Sequence, residues 1–253
     1  VLPGSVVSRG TDSYKSYYVT MTDGRKWRIM GDASLTGGGS RGWTDRCGEV
    51  VTPILTPEDM DALKEVVRAV RGAGAKIDAS CGVHVHVDGR DLTAAAVGRL
   101  VTDVSNYDEM LDRGLAIAGS RRGRWCKVMP TDMRDRVLAA AAAAPLAALA
   151  SDTLAAAWYG PDAWSVARSR TEHYNETRYH GLNLHSLFYR GTVEFRHFNG
   201  TLHAGEIKAF VMLCLSFVAR AKTAKRIALG SGWSAEKANV SKAVGHFFYD
   251  HAL

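Results

Sequence analysis

Two histidines lie one residue apart in the segment CGVHVHVDG, residues 81–89. Alternate residues of a β-strand share a face, so His84 and His86 point to one side and the intervening valines to the other. Paired imidazoles suit a metal or a phosphate-bearing ligand, and they also suit structural hydrogen bonding. This pair alone supports the two interpretations about equally.

A second segment, TVEFRHF at residues 192–198, shows the same alternation. Glu194 and Arg196 share one face, and Val193, Phe195 and His197 share the other. A carboxylate beside a guanidinium can be a surface ion pair, which contributes only ~0–1 kcal/mol. The aromatic and β-branched neighbours instead predict a largely buried strand. Two buried strands with polar pairs predict a lined cavity.

Glu49 is the first glutamate of the chain and sits on a short predicted strand before Thr52-Pro53. Taken alone, a solvated glutamate on an edge strand is as good an interpretation as a ligand. Two carboxylates with a histidine form an oxygen-rich set that suits Mg²⁺ or Mn²⁺ better than zinc. Arg196 would then hold phosphate oxygens through its guanidinium fork. The arginine run at residues 121–124 offers the same chemistry, but a solvated basic loop is the favoured interpretation.

The predicted secondary structure must position these side chains. Apolar periodicity and turn signals predict strands at residues 17–21, 26–30, 47–51, 81–87, 182–187 and 192–198. They predict helices at residues 56–72, 93–111 and 206–220, and two short helices within 138–157 that break at Pro145. The Gly37–Ser40 run predicts a flexible loop. No long linker divides the chain, so we expect one α+β domain over residues 1–253.

Composition excludes several classes of protein. The chain has 253 residues, 46% of them hydrophobic and 23% charged, as in ordinary globular proteins. A net charge of +6 favours anionic ligands. Nucleic-acid binding is nevertheless disfavoured, because the basic residues are dispersed and the sequence has no base-stacking motif. Four widely spaced cysteines without a CxxC pair predict reduced thiols in the cytoplasm. The sequence shows no signal peptide, and its longest apolar run is too short to cross a membrane.

The order of several motifs resembles the amidoligase family, a branch of the glutamine synthetase and glutamate–cysteine ligase superfamily of carboxylate–amine ligases. The matching segments are DAS at 32–34, EVVTP at 49–53, CGVHVHV at 81–87, RYHGLNL at 178–184, TVEFR at 192–196 and GTL at 200–202. The resemblance covers roughly residues 25–220. GVHVHV and TVEFR, in this order and separation, are its most specific parts.

The resemblance implies a mainly antiparallel sheet whose concave face holds ATP and Mg²⁺ or Mn²⁺, with helices packed behind it, as in the glutamine synthetase catalytic domain. Such ligases phosphorylate a small-molecule or peptide carboxylate with ATP, and an amine then displaces phosphate to give an amide. The implied roles are metal ligation by Glu49, His84 and Glu194, nucleotide contact by His86, phosphate binding by Arg196, and substrate or phosphate contacts by Arg178 and Asn183. Glu194 and Arg196 would carry the catalysis.

One family feature has no counterpart here. The family pattern opens with a strand of the form G-x-E-x-E, whereas residues 1–48 contain no glutamate. An upstream segment or a second subunit would complete the site, or the site is incomplete. The alternative function is therefore a non-catalytic descendant that binds a nucleotide or peptide. A zinc hydrolase with an HxH pair is disfavoured, because the remaining histidines form no clear ligand set.

Overall fold

The computed structural model describes residues 5–14, 16–32, 34, 35, 47–145, 152–160 and 162–230. Its contacts divide the chain into two compact units. The first unit is Val1–Cys81 with Gly200–Lys208, and the second is Gly82–Asn199 with Ala209–Leu253. Antiparallel sheets and helices occur together, which confirms the α+β class. The expected single domain stays a prediction.

The first unit is built on a four-stranded antiparallel sheet in the order β1-β2-β3-β4. Its strands are β1 (Val6–Arg9), β2 (Tyr17–Thr20), β3 (Lys26–Gly31) and β4 (Gly48–Val51). The hairpin of β2 and β3 and the strand β4 confirm the sequence predictions, whereas β1 was not predicted. Gly24 adopts a φ of 84° in the hairpin turn, a conformation that glycine reaches without steric cost.

Helix α1 (Met60–Gly72) covers part of this sheet. A 3₁₀ turn at Pro57–Asp59 precedes it, and the Thr56 backbone N–H donates to the Asp59 carboxylate at 2.7 Å in a capping box. Trp27 of β3 is buried against Leu63 and Val67 of α1. The hydrophobic core of the first unit is therefore a small cluster centred on these three residues, with Val19 of β2 and Ile207, near residue 204, packed against it.

The second unit holds a three-stranded antiparallel sheet in the order β5-β7-β6. Its strands are β5 (Gly82–Asp88), β6 (Leu182–Asn183) and β7 (Thr192–Asn199). The central strand β7 is buried along most of its length, as its apolar neighbours predict. Phe195 and Phe198 of this strand stack on Phe217 and Phe210, respectively, in the last helix.

In the described part of the chain, seven α-helices belong wholly or largely to this second unit. They are α2 (Ala94–Gly114), α3 (Gly119–Arg124), α4 (Thr131–Ala143), α5 (Asp152–Tyr159), α6 (Ala163–Ser169), α7 (His185–Arg190) and α8 (Ala204–Thr223). Thr93 caps α2 by accepting a hydrogen bond from the Ala96 N–H at 3.2 Å. A side chain at Gly98 would meet Ala141 at 2.8 Å, so glycine lets α2 and α4 approach closely.

Two sequence predictions were wrong in this unit. The predicted strand 182–187 ends at Asn183, and the helix α7 follows, because Asn183 Oδ1 accepts from the Ser186 N–H at 3.4 Å and Gly191 ends the helix at a φ of 81°. The arginine run at 121–124 forms α3 rather than a solvated loop, and Arg121 is buried.

Other expectations have mixed outcomes. Helix α4 begins at Thr131 rather than at residue 138, and the segment just after Pro145 lies outside the described residues, as does the predicted loop at Gly37–Ser40. Among the described residues, none of the four cysteines is joined to another in a disulfide. In the part of the chain that the structure describes, no helix has the length and apolar character needed to span a bilayer.

Candidate active site

One row of side chains crosses the three strands of the second sheet. In the strand register, Glu194 of β7 pairs with His86 of β5 on one side and with Asn183 of β6 on the other. Residues directly opposite one another in neighbouring strands share a face. The sheet therefore places three of the residues selected from sequence side by side, with the glutamate in the centre.

The Glu194 carboxylate is buried and both of its oxygens accept hydrogen bonds. Arg196 Nη1 donates to Oε1 at 2.6 Å, and Asn183 Nδ2 donates to Oε2 at 2.5 Å. Glu194 and Arg196 are 4% and 3% exposed. A charge that is removed from water needs a partner and further hydrogen bonds, and this pair has both. The pair is thus a buried element of the second unit, not a surface ion pair.

Two imidazoles face the same carboxylate oxygen. His84 Nδ1 lies 3.5 Å and His86 Nε2 lies 3.7 Å from Glu194 Oε1. Both distances exceed those of good N–H···O hydrogen bonds. The His84 and His86 side chains are 27% and 36% exposed. The site is therefore open to solvent on the imidazole side and closed beneath the carboxylate.

A β-bulge sets the position of His84. Val85 pairs with Phe195, but Val83 pairs with Phe198, so β7 has one extra residue opposite His84. Bulges re-aim side chains and are common beside functional sites. This bulge keeps both Phe195 and Phe198 in the hydrophobic core. We infer that it also lets the charged pair of β7 lie beneath His84.

Electrostatics keep the carboxylate ionised and the imidazoles neutral. Burial raises the pKa of Glu194, but the Arg196 guanidinium, the two histidines and the Asn183 amide outweigh burial and lower it to about 2. Burial and the nearby Arg196 lower the pKa of His84 to about 3 against the opposing effect of Glu194. Burial also lowers the pKa of His86. Neutral imidazoles retain a lone pair that can bind a cation or accept a proton.

Hydroxyl groups orient His86. Its Nδ1 lies 3.0 Å from Thr192 Oγ1 and 3.3 Å from Ser186 Oγ, and the two hydroxyls are 2.9 Å apart. The strand alternation that pairs Glu194 with Arg196 also predicts Thr192 on the same face, so Thr192 could have been found from sequence. Ser186 could not, because its segment reads as a strand rather than as the start of α7.

Arg196 also has contacts that the sequence does not reveal. Its Nε donates to the Trp125 carbonyl at 3.1 Å, and its guanidinium lies 5.8 Å from the centre of the Tyr179 ring. Beneath it, Arg121 Nη2 donates to the Arg196 carbonyl at 3.1 Å. A guanidinium has five N–H donors. The bonds to Glu194 and Trp125 use two of them.

The remaining predicted site residues lie in different surroundings. Arg178 Nη1 donates to the His173 carbonyl at 3.2 Å, and its positive charge contributes to the low pKa of His86. Burial is the largest cause of that low pKa. Glu49 is exposed on β4 and belongs to the first unit. The second unit thus brings together His84, His86, Asn183, Glu194 and Arg196, and their catalytic and binding roles stay predictions.

The donors around Glu194 fit a metal ion only in part. Two neutral imidazoles and one carboxylate are suitable ligand types, and they match Mn²⁺ better than Mg²⁺, which prefers oxygen. Glu194, however, already accepts hydrogen bonds at both oxygens. Among the described residues, no group of three or more His, Cys, Asp or Glu side chains is arranged to hold a metal ion.

Comparison with known proteins identifies the family. The described structure combines an α+β fold with a buried acid–arginine pair beneath two imidazoles. Residues 1–218 match the family described as "Putative amidoligase enzyme", and the chain therefore belongs to the amidoligase family. No curated protein and no solved structure matches the chain. The match indicates an enzyme that forms amide bonds, and the placement in the glutamine synthetase superfamily stays a prediction.

Two other buried histidines, distinct from His84 and His86, should make the free energy of unfolding depend on pH. His197 and His185 are almost inaccessible to solvent, and burial is the first cause that lowers their pKa values to about 3 and about 4. In the unfolded chain both titrate near 6.5. The unfolded state therefore binds more protons below pH 6.5, and each such histidine costs up to about 1.4 kcal/mol of stability per pH unit.

Above pH 6.5, these two histidines should not change the free energy of unfolding. As the pH drops from 6.5 towards 4, they should lower it. His197→Leu should reduce the number of protons taken up on unfolding by about one, because it removes one of the two titrating rings. Among the described residues the ring makes no hydrogen bond that leucine would lose. Urea unfolding of both chains at several pH values measures the slope. An unchanged slope in the variant would show that His197 does not stay neutral in the folded chain.

Proposed function

We propose that this amidoligase is an ATP-dependent carboxylate–amine ligase that uses Mg²⁺ or Mn²⁺. The observation that supports the proposal is the Glu194–Arg196 pair, buried beneath two neutral imidazoles that remain open to solvent. Substrates would be a carboxylate and an amine, each a small molecule or part of a peptide. A glutamine-synthetase-like concave face would hold them, and the ligase would act in the cytoplasm.

In the proposed reaction, a carboxylate oxygen of the substrate bonds to the γ-phosphorus of ATP and ADP departs. The amine nitrogen then bonds to the acyl carbon, phosphate departs, and the amine loses a proton. A bound divalent cation would neutralise the phosphate charge, with His84 and Glu194 as the proposed ligands in the second unit. Phosphoryl transfer depends mainly on positioning and charge neutralisation, and those are the tasks left to the protein side chains.

Arg196 would hold phosphate oxygens. Three of its five N–H groups remain after the bonds to Glu194 and Trp125, and its orientation is fixed by both bonds. A guanidinium held in place in this way needs no reorganisation when charge develops on the phosphoryl group. Asn183 holds the carboxylate from the other side. Ser186 and Thr192 fix the orientation of His86, which would contact the nucleotide.

The second candidate function is a non-catalytic module that binds a nucleotide or peptide. One observation favours it, since Arg196 and Asn183 already occupy both oxygens of the central carboxylate. A cation would have to compete with the guanidinium for Glu194. Such a module would bind ATP with the same affinity in the presence of Mg²⁺, Mn²⁺ or a chelator, whereas the ligase requires the cation.

Single histidine variants test the ligase proposal. His84→Ala should weaken Mn²⁺ binding directly, because it deletes a proposed ligand. His86→Ala should leave Mn²⁺ binding nearly intact and weaken ATP binding, because Ser186 and Thr192 orient that ring. The measurements are a Mn²⁺ titration and a nucleotide titration on each variant, together with its melting temperature.

The outcomes separate the candidates. If neither variant alters a titration while both lower the melting temperature, the histidines are structural and the ligase proposal loses its support. Equal loss of Mn²⁺ binding in both variants would instead indicate a two-histidine metal site. ATP binding that is independent of metal in the unmodified chain would favour the binding module.

A further inference from the structure

A cavity of about 310 Å³ lies in the first unit, between α1 and the start of α8. Its lining consists of four residues of α1, namely Lys64, Val67, Arg68 and Arg71, and of residues 202–205. None of these residues belongs to the site around Glu194. The volume is at the lower end of the ~300–1,000 Å³ that small-molecule pockets occupy.

The helical repeat brings three cations to this cavity. Lys64, Arg68 and Arg71 follow the i, i+4, i+7 spacing, which places side chains on one face of a helix. Val67 lies among them and is buried, and it contributes an apolar part of the lining together with Leu202. A small anion with an apolar portion matches this combination of surfaces.

Few negative charges of the described chain compensate these cations. Arg68 Nη1 contacts Glu65 at 2.8 Å, and both side chains are more than half exposed. Exposed pairs of this kind contribute little, so an anion can displace Glu65 at low cost. Lys64 and Arg71 form no ion pair with a carboxylate in the part of the chain that the structure describes. Within the described residues, these two positive charges line the cavity without a carboxylate beside them.

The beginning of α8 supplies further donors. Ala204 and Gly205 lie in the first turn of this 20-residue helix, where backbone N–H groups point away from the helix. His203 Nδ1 accepts from the Glu206 N–H at 3.2 Å. A side chain at position 205 would meet the His203 ring at 2.9 Å, so glycine leaves room for it. Helix starts favour anions, which adds to the effect of the three basic side chains.

We propose that this cavity binds the phosphate group of a small molecule, with Lys64, Arg68 and Arg71 as its ligands. Guanidinium forks match phosphate oxygens and bind them in a bidentate manner. A nucleic acid would need a longer basic track than three residues on two turns of one helix. The site does not depend on the ligase activity.

Isothermal titration with pyrophosphate, without divalent metal, tests the site in the full chain at low and physiological salt. The variant Lys64→Ala/Arg71→Ala should weaken the affinity at least about a hundredfold, since each lost charge-assisted hydrogen bond costs ~1.5 kcal/mol or more. Alanine favours helix, so α1 should persist. The matched control is Lys225→Ala/Arg226→Ala, which removes the same charge from two exposed positions that do not line the cavity.

Pyrophosphate binding that falls only in the cavity variant supports the proposal. An equal fall in the control variant would show general charge attraction and overturn it, as would the absence of binding to the unmodified chain at low salt. If Arg196→Lys abolishes the binding and the cavity variant does not, the anion binds at Glu194–Arg196 and the proposal fails. Titration with a nucleoside monophosphate distinguishes an organic from an inorganic phosphate, and tighter binding of the former would agree with Val67 and Leu202.

Discussion

Glu194→Gln should abolish ATP-dependent ligation and lower the free energy of unfolding by about 3–5 kcal/mol. The carboxylate accepts from Arg196 at one oxygen and from Asn183 at the other. Glutamine turns one of these acceptors into a donor, so an N–H group must face either the guanidinium or the asparagine amide. The buried Arg196 charge also loses its counter-ion, which is the larger cost.

A second substitution separates stability from activity. In Glu194→Gln/Arg196→Met both charges are gone, and a buried ion pair replaced by neutral groups is often no less stable than the original. We expect this variant to recover most of the lost stability, measured by urea unfolding, and none of the ligation. Glu109→Gln is the control, since Glu109 pairs with Arg113 at the surface and its loss should change stability by less than ~0.5 kcal/mol.

Ligation at the wild-type rate in Glu194→Gln would remove this residue from the active site. Unchanged stability would show that the pair contributes nothing to the fold. Loss of both properties in the single variant, with stability restored in the double variant, is the expected pattern. This pattern would show that ligation requires the negative charge of Glu194, whereas stability requires only that the charges of Glu194 and Arg196 balance.

Sequence patterns found the strand pairs because alternation depends only on local backbone geometry. The side chains of Glu194 and Arg196 share a face, and the strand is buried as its apolar neighbours predict. The row that joins Glu194 to His86 and Asn183 requires the pairing of strands far apart in sequence. Residue spacing within one segment cannot give that register. Asn183 was predicted as a site residue only because the family resemblance implied it.

Long-range packing explains the wrong prediction for the arginine run at residues 121–124. Arg121 is the first of three arginines in a short run that looks solvated, yet Gly82 of β5 has no side chain and leaves room for its guanidinium. A Cβ at Gly82 would lie 2.2 Å from Arg121 Nη1. For α7 the reason is local. The aromatic segment after Asn183 favours a strand by composition, but the Ser186 N–H donates to Asn183 Oδ1 at the start of the helix, and Gly191 ends it in the left-handed conformation.

Arg196→Lys is expected to lower ligation about 10²–10³-fold, the effect of losing one preorganised donor at a developing charge. Lysine keeps the positive charge beside Glu194 but cannot make the second hydrogen bond, from Nε to the Trp125 carbonyl. Lysine also replaces the N–H groups that would bind two phosphate oxygens with a single ammonium group. Nucleotide affinity should fall less than the ligation rate, because part of the charge attraction persists.

Stability distinguishes this variant from Glu194→Gln. Since the charge is conserved, we expect the free energy of unfolding to fall by only ~1 kcal/mol, the contribution of one hydrogen bond. Arg220→Lys is the matched control, because Arg220 pairs with the fully buried Asp103 in the same unit, outside the candidate site. It should lose similar stability and keep the ligation rate. Equal ligation rates in Arg196→Lys and the unmodified chain would show that Arg196 is only the structural counter-ion of Glu194. A residue that binds phosphate in a bidentate manner could not be replaced by lysine without slowing the reaction.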